Sequence, residues 1–312
     1  EKEKEKEKEP QQQQNTAAPM AASSQRKLPS SLASEVTFIQ PEKVKSWREG
    51  NRVGRSAQVL KGEMKTKEGV LDVAVKSYQY GTLTDTVWDT FLCEIALLTK
   101  LSNHPNVVQC RGLWLTPSLT IVMEWVGHDL YHVLQDPSID LSPHRPHIVS
   151  GIASACEHMH SLSFLHRDLK PNNILLSPHN FHAKLCDFGL TISLEDPSLN
   201  LAGDKKGTSG WAAPEIMGGF PYSFPADVFS FGMCVWSLFA PGVSNPFCGM
   251  TSSVYFAAIQ KGKRPPYEKK EKSEEELYFE GLWERCWGFN PDKRPTFSQL
   301  KDELQARYPP SG

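Results

Sequence analysis

Residues 166–173 read HRDLKPNN, and Asp187-Phe188-Gly189 follows after thirteen intervening residues. The two stretches gather Asp168, Lys170, Asn173 and Asp187, which are two carboxylates, one cation and one amide. Phosphoryl transfer needs such a set, because its catalysis is mostly positioning and neutralisation of charge. A carboxylate has to accept a hydroxyl proton, and oxygen ligands have to hold a Mg²⁺ ion against phosphates. Taken singly, Asp and Asn in a loop serve equally well as turn and capping residues. A lone Asp-Phe-Gly is a weak signal; joined at this distance to the eight-residue stretch it is a strong one.

Outward toward the N-terminus, Val73-Ala74-Val75 and residues 120–123 read as buried strands. A helix is predicted over 85–100, with Thr84 or Asp85 as its N-cap. Its Val87, Phe91, Ile95 and Leu98 recur at helical spacing. Glu94 stands three residues after Phe91 and four before Leu98, on the inward face. A carboxylate there is costly unless a cation meets it. Lys76 ends the strand and shares a face with Ala74, so each is the obvious partner for the other. Toward the C-terminus helices take over. One is predicted over 145–162, with Ile148, Ile152, Cys156 and Met159 on one face, and another over 226–240. The expectation is an α+β chain with a strand-rich part at 36–126, a helical part at 127–308 and a nucleotide-sized cleft between them.

Composition narrows the class further. A formal net charge of −2 gives no basic surplus for nucleic-acid binding. No apolar stretch is long enough to span a bilayer, and no apolar signal core stands near the N-terminus. The chain begins at Glu1, as a fragment or a processed product would. The seven cysteines are scattered, with no CxxC or Cys/His cluster, so neither a zinc site nor a disulfide framework is expected. That pattern suits a reducing cytoplasm, or a nucleus. Residues 1–35 run from a Glu/Lys alternation into Gln, Ala, Ser and Pro and are expected to form a solvated tail that could also serve in docking. Residues 309–312 form a short C-terminal tail, and the charged stretch 268–276 reads as solvated surface.

At this point the chain resembles the eukaryotic protein kinases over roughly residues 45–308. The ordered elements are Val73-Ala74-Val75-Lys76, Glu94, HRDLKPNN, Asp187-Phe188-Gly189, Ala213-Pro214-Glu215, Asp227 in DVFSFG and Arg294 in CWGFNPDKRP. The resemblance implies a bilobal kinase fold and Mg²⁺ with ATP as co-substrate. Asp168 would be the catalytic base, Lys170 would neutralise charge at the γ-phosphate, and Asn173 and Asp187 would hold the metal. Lys76, oriented by Glu94, would meet the α- and β-phosphates. Met123 would stand beside the adenine, and Glu124, Trp125 and Val126 would offer it their backbone. Leu175 would lie under the ring, with Ala74 and Val59 above. Asp227 would brace the catalytic-loop backbone, while Glu215 and Arg294 would form a structural ion pair.

The chain departs from the family pattern at the phosphate-covering loop, expected as G-x-G-x-x-G-x-V. One register puts Arg52, Gly54 and Ala57 at the glycine positions. The other, anchored on Trp47, Gly50, Val53 and Gly54, makes Gly54 the first glycine and Ser56 the second. The second register is preferred for its Trp-x-x-Gly lead-in, and it puts Val53 and Gly54 over the nucleotide. Loss of glycines weakens a close backbone approach to phosphate oxygens. Lys170-Pro171 and Gly207-Thr208 resemble serine/threonine kinases, and Cys286-Trp287 to Arg294-Pro295 resembles the tyrosine-kinase-like group among them. Thr208 would hydrogen-bond Asp168 and Lys170. The alternatives are a nucleotide-binding scaffold without transfer and a dual-specificity enzyme. Arg167 would pair with an activation-loop phosphate in the family; eleven residues before Glu215, that place holds Asp204, which carries a negative charge of its own.

Overall fold

Alternation along one strand organises the N-terminal lobe. The computed structural model describes residues 27–47, 57–78, 84–196, 199–240, 247, 249–269 and 271–309. The phosphate-covering loop, with Val53 and Gly54, lies outside the described residues, as do residues 1–26 of the tail. The strands β1 (Val44–Trp47), β2 (Ala57–Lys65), β3 (Val70–Tyr78), β4 (Cys110–Trp114) and β5 (Thr120–Glu124) form one antiparallel sheet in the order β1-β2-β3-β5-β4. In β3, Val73 and Val75 turn to one face, where Val122, Ile39, Leu60 and Met64 pack on them. Ala74 and Tyr78, at alternate positions, belong to the larger core on the other face. There α2 (Asp85–Leu101) lays Phe91, Ile95 and Leu98, all essentially buried, against the sheet. Its N-cap is Thr84, whose hydroxyl accepts from the Val87 amide.

The tail expected over 1–35 ends earlier. Ser30–Glu35 forms a helix, α1, and Leu28 and Leu32 are buried in the core. Leu32 inside the helix and Leu28 just before it anchor this short segment, which polar composition alone conceals. The chain then runs along β4, with the Ile39 amide bonded to Leu113 O and the Leu113 amide to Thr37 O, both at 2.9 Å. Gly112 permits this approach: a Cβ there would stand 2.4 Å from Thr37 O.

The C-terminal lobe comprises α3 (Leu130–Gln135), α4 (Arg145–Ser161), α5 (Pro214–Gly218), α6 (Pro225–Phe239), α7 (Ser252–Gln260), α8 (Glu274–Cys286) and α9 (Phe297–Arg307). Short strands β6 (His128–Asp129), β7 (Phe164–Leu165), β8 (Ile174–Leu176), β9 (Ala183–Leu185) and β10 (Ile192–Ser193) run among them. The helix α6 is apolar on every side and is buried from Ala226 to Phe239, as a helix at the centre of a lobe must be. Gly232 lets α8 close on it: a Cβ would meet Cys286 Cβ at 2.7 Å and Trp283 O at 3.1 Å. The charged stretch 268–276 is only partly solvated. Glu276 is buried, as N3 of the capping box that starts α8, and accepts from Lys269, Tyr267 and the Ser273 amide. The mixed α+β architecture, with a strand-rich N-terminal lobe and a helical C-terminal lobe, is the one expected. No described helix is long and apolar enough to cross a membrane.

Candidate active site

The site lies where β3, α2, the loop 166–173 and the stretches 187–190 and 204–208 converge. The antiparallel register sets Ala74 opposite Met123 and Lys76 opposite Val59. Lys76 Nζ donates to both oxygens of Glu94, at 2.6 and 2.8 Å, and to Asp187 Oδ1 at 3.0 Å. Glu94 is 2% exposed, so the pair is desolvated, and removing either partner would strand a buried charge. Burial by itself would lower the Lys76 pKa, but Glu94 and Asp187 outweigh it and raise it well above the ordinary value. Lys76 also brings the Asp187 carboxyl down to about 2, against the opposing effect of burial. Asp187 therefore stays an anion at neutral pH, while half of its side-chain surface remains exposed.

A second cluster surrounds Asp168. Lys170 Nζ donates to Asp168 Oδ2 at 2.6 Å and to Thr208 Oγ1 at 2.7 Å, and the Thr208 hydroxyl donates to Asp168 Oδ1 at 2.6 Å. The triangle ties the catalytic loop to the later segment. Gly207 makes the approach possible: it has φ = +121°, and a Cβ there would stand 2.8 Å from Arg167 O. Asn173 Nδ2 donates to Asp168 O at 2.8 Å, and the Cys186 amide donates to Asn173 O at 2.9 Å. Asn173 is thus fixed beside the strand that leads into Asp187. The asparagine amide nitrogen is turned to Asp168, which leaves its carbonyl oxygen as the ligand it can offer. An amide oxygen and a carboxylate fit Mg²⁺, which prefers oxygen and completes its shell with phosphates and water.

Asp227, near the start of α6, organises the loop from below. Its two oxygens accept from the backbone amides of His166 and Arg167, at 2.8 and 2.9 Å, and from His160 Nε2 at 3.0 Å. Burial alone would lift its carboxyl; the bonds from His160 and His166 hold it below the ordinary value. Arg167 occupies the left-handed region at φ = +68°, a conformation that these bonds stabilise. Its guanidinium donates to Asp204 Oδ2 at 2.7 Å, to the Leu190 carbonyl and to the Tyr222 hydroxyl at 3.3 Å. Arg294 and Glu215 form a two-point buried ion pair at 2.6 and 3.0 Å.

Among the residues expected beside the adenine, Met123 and Val126 are buried and Val59, Ala74 and Leu175 are partly so. The Glu124 carboxylate is engaged by Lys184 Nζ at 2.6 Å and by the Gln109 amide at 2.8 Å, so this residue has only its backbone to offer a ligand. The charged and amide residues of the expected site are joined by hydrogen bonds in two clusters, Lys76 with Glu94 and Asp187, and Asp168 with Lys170 and Asn173. Sequence reasoning missed Tyr78, whose hydroxyl donates to Glu94 Oε2, and Tyr222 beside Arg167 and Asp204. Its place two residues beyond Lys76 was the available signal for Tyr78.

Comparison with known proteins agrees with this geometry. The family model described as protein tyrosine and serine/threonine kinase matches residues 50–304. Probable serine/threonine-protein kinase drkC of Dictyostelium discoideum is 31% identical over 264 residues, covering 82% of this chain and 34% of its own length. Mitogen-activated protein kinase kinase kinase 7 of Homo sapiens is 31% identical over 257 residues, covering 80% of this chain and 39% of its own. Dual specificity protein kinase pyk3 of Dictyostelium discoideum is 30% identical over 234 residues, covering 75% of this chain and 17% of its own. The chain thus spans about two fifths or less of these relatives. With the kinase model matched from one lobe through the other, and the cations, carboxylates and amide joined by hydrogen bonds, the chain belongs to the protein tyrosine and serine/threonine kinase family.

Proposed function

We propose that this chain transfers the γ-phosphate of ATP to serine or threonine hydroxyls of a protein substrate. The observation that carries the reading is the triangle of Asp168, Lys170 and Thr208, with all three edges between 2.6 and 2.7 Å. It gives a carboxylate that an acceptor hydroxyl can reach and a cation beside it, fixed by the residue pair that marks serine/threonine kinases. In this account Asp168 accepts the hydroxyl proton and Lys170 balances charge developing on the transferred phosphoryl group. Lys76, held cationic by Glu94 and Asp187, receives the α- and β-phosphates. Asn173 and Asp187 would hold Mg²⁺, which neutralises the phosphates when bound. Adenine would lie between Leu175 below and Val59 and Ala74 above, against the backbone of Glu124 and Val126 beside Met123.

A second feature supports a mode of regulation. Asp204 fills the place opposite Arg167 that a phosphate holds in related kinases, so the site carries an activation-loop charge without modification. For its compartment the reading is the cytoplasm, or the nucleus, supported by scattered cysteines with no pairing pattern. Dual specificity is the alternative for the acceptor; the relative pyk3 bears that description. Phosphotransfer to a mixed Ser/Thr/Tyr peptide library separates the readings. Label on serine or threonine supports the proposal, label on tyrosine as well supports dual specificity, and nucleotide binding without transfer rejects both.

A further inference from the structure

Tyr78 ends β3 and is 1% exposed. It stands two residues beyond Lys76, so both side chains leave the strand on the face that meets α2. Its ring packs edge-on against Phe91, centroid to centroid 5.5 Å at 89°, and lies 5.8 Å from Lys76 Nζ. Phe91 precedes Glu94 by three residues on the same helix face. The Tyr78 hydroxyl donates to Glu94 Oε2, the oxygen that Lys76 approaches at 2.8 Å. One side chain therefore touches α2 twice, through its ring at Phe91 and through its hydroxyl at the carboxylate that orients Lys76.

We propose that Tyr78 is a positioning residue that holds Glu94 in register with Lys76 and so sets the affinity for the nucleotide phosphates. The proposal rests on the reading of Lys76 as the phosphate-binding lysine. A buried carboxylate bonded through both oxygens to Lys76 and through Oε2 to Tyr78 as well cannot rotate without breaking a bond; with Lys76 alone it can pivot about that single nitrogen. Burial and the neighbouring Glu94 both push the phenol pKa up, so Tyr78 remains a hydroxyl donor throughout the neutral range. The motif residues alone do not supply this contact, because it comes from a strand residue that lies outside them.

The test compares the 312-residue chain with its Tyr78→Phe variant, which keeps the ring against Phe91 and removes only the hydroxyl. The readouts are KM for ATP, KM for a serine peptide, thermal midpoint and the Kd of a fluorescent ADP analogue. Loss of a hydrogen bond to a charged group predicts a rise of about 10–100-fold in KM for ATP and in the analogue's Kd, with peptide KM unchanged. A variant that is merely less well folded loses kcat through its active fraction and leaves both KM values and the Kd in place; that result overturns the proposal. So does a variant whose ATP KM stays within about twofold of wild type, given the size of the bond removed. If instead the wild-type chain transfers no phosphate yet Tyr78→Phe weakens the ADP analogue, the reading of the enzyme fails and the positioning role stands.

Discussion

Arg167 and Asp204 meet at 2.7 Å across thirty-seven residues of chain, joining the catalytic loop to the segment that follows Asp187-Phe188-Gly189. The pair is well covered, with Arg167 9% and Asp204 24% exposed, and Tyr222 closes it from a third side. The same arginine backbone is held by Asp227. One ion pair therefore links the position of the activation segment to the geometry at Asp168.

Replacing Asp204 should loosen that link. Asp204→Ala leaves the guanidinium without its carboxylate at a cost of about 1–3 kcal/mol, discounted from a fully buried pair because Asp204 keeps some solvent contact. The expected outcome is a fall of about tenfold in kcat/KM with little change in ATP affinity, the discrimination of active from loosened states being of that energy. Phosphatase-treated wild type should keep its activity. Equal activity of the treated wild type and the variant would show that Asp204 does not stand in for a phosphate.

Acid should weaken the fold through His104. Its Nδ1 accepts from the Asn106 amide at 3.2 Å, which fixes the neutral tautomer with the proton on Nε2, facing Ser154 Oγ at 3.2 Å. Its ring stacks on His158 at 4.9 Å. Burial, and then His158, bring its pKa down to about 4 from an ordinary value near 6.5. A histidine with a depressed folded pKa favours the neutral form, so its contribution to stability is full above pH 6.5 and declines as pH falls toward 4. Urea midpoints at pH 7 and pH 5 should differ by less in His104→Gln than in wild type. An equal difference in the two proteins would contradict the assignment.

Two contacts in the C-terminal lobe should matter to stability alone. Gly232→Ala drives a methyl group against Cys286 and the Trp283 carbonyl and is expected to cost about 1–3 kcal/mol. Glu215→Ala leaves Arg294, whose side chain is fully buried, without its carboxylate, at a cost of about 3–5 kcal/mol. Denaturant unfolding measures both, and ATP affinity of the folded fraction should be unchanged in each.

Much of this arrangement was legible in the sequence because its chemistry is local. Asp168, Lys170 and Asn173 stand within six residues, and helical spacing turns Glu94 inward toward a cation that has to exist. The pairing of Arg167 with Asp204 is not local and was expected only through the resemblance to the kinase family, by counting back from Glu215. Contacts set by packing were not. Spacing from Lys76 places Tyr78 on the face that meets α2, but the contact of its hydroxyl with Glu94 depends on how β3 packs on that helix. The short helix Ser30–Glu35 was hidden by polar composition, since two leucines suffice to anchor it. Glu276 looked solvated among its charged neighbours, yet its capping bonds bury it.

The central claim is that the Asp168 cluster performs serine/threonine phosphotransfer. Its most direct test is transfer of labelled γ-phosphate to a mixed Ser/Thr/Tyr peptide library by the wild type and by Asp168→Asn. The account predicts label on serine and threonine with the wild type and a loss of about 10²–10⁴-fold in the variant, the range for removing a general base, with nucleotide binding retained. Undiminished transfer by Asp168→Asn, or nucleotide binding without any transfer by the wild type, would contradict it.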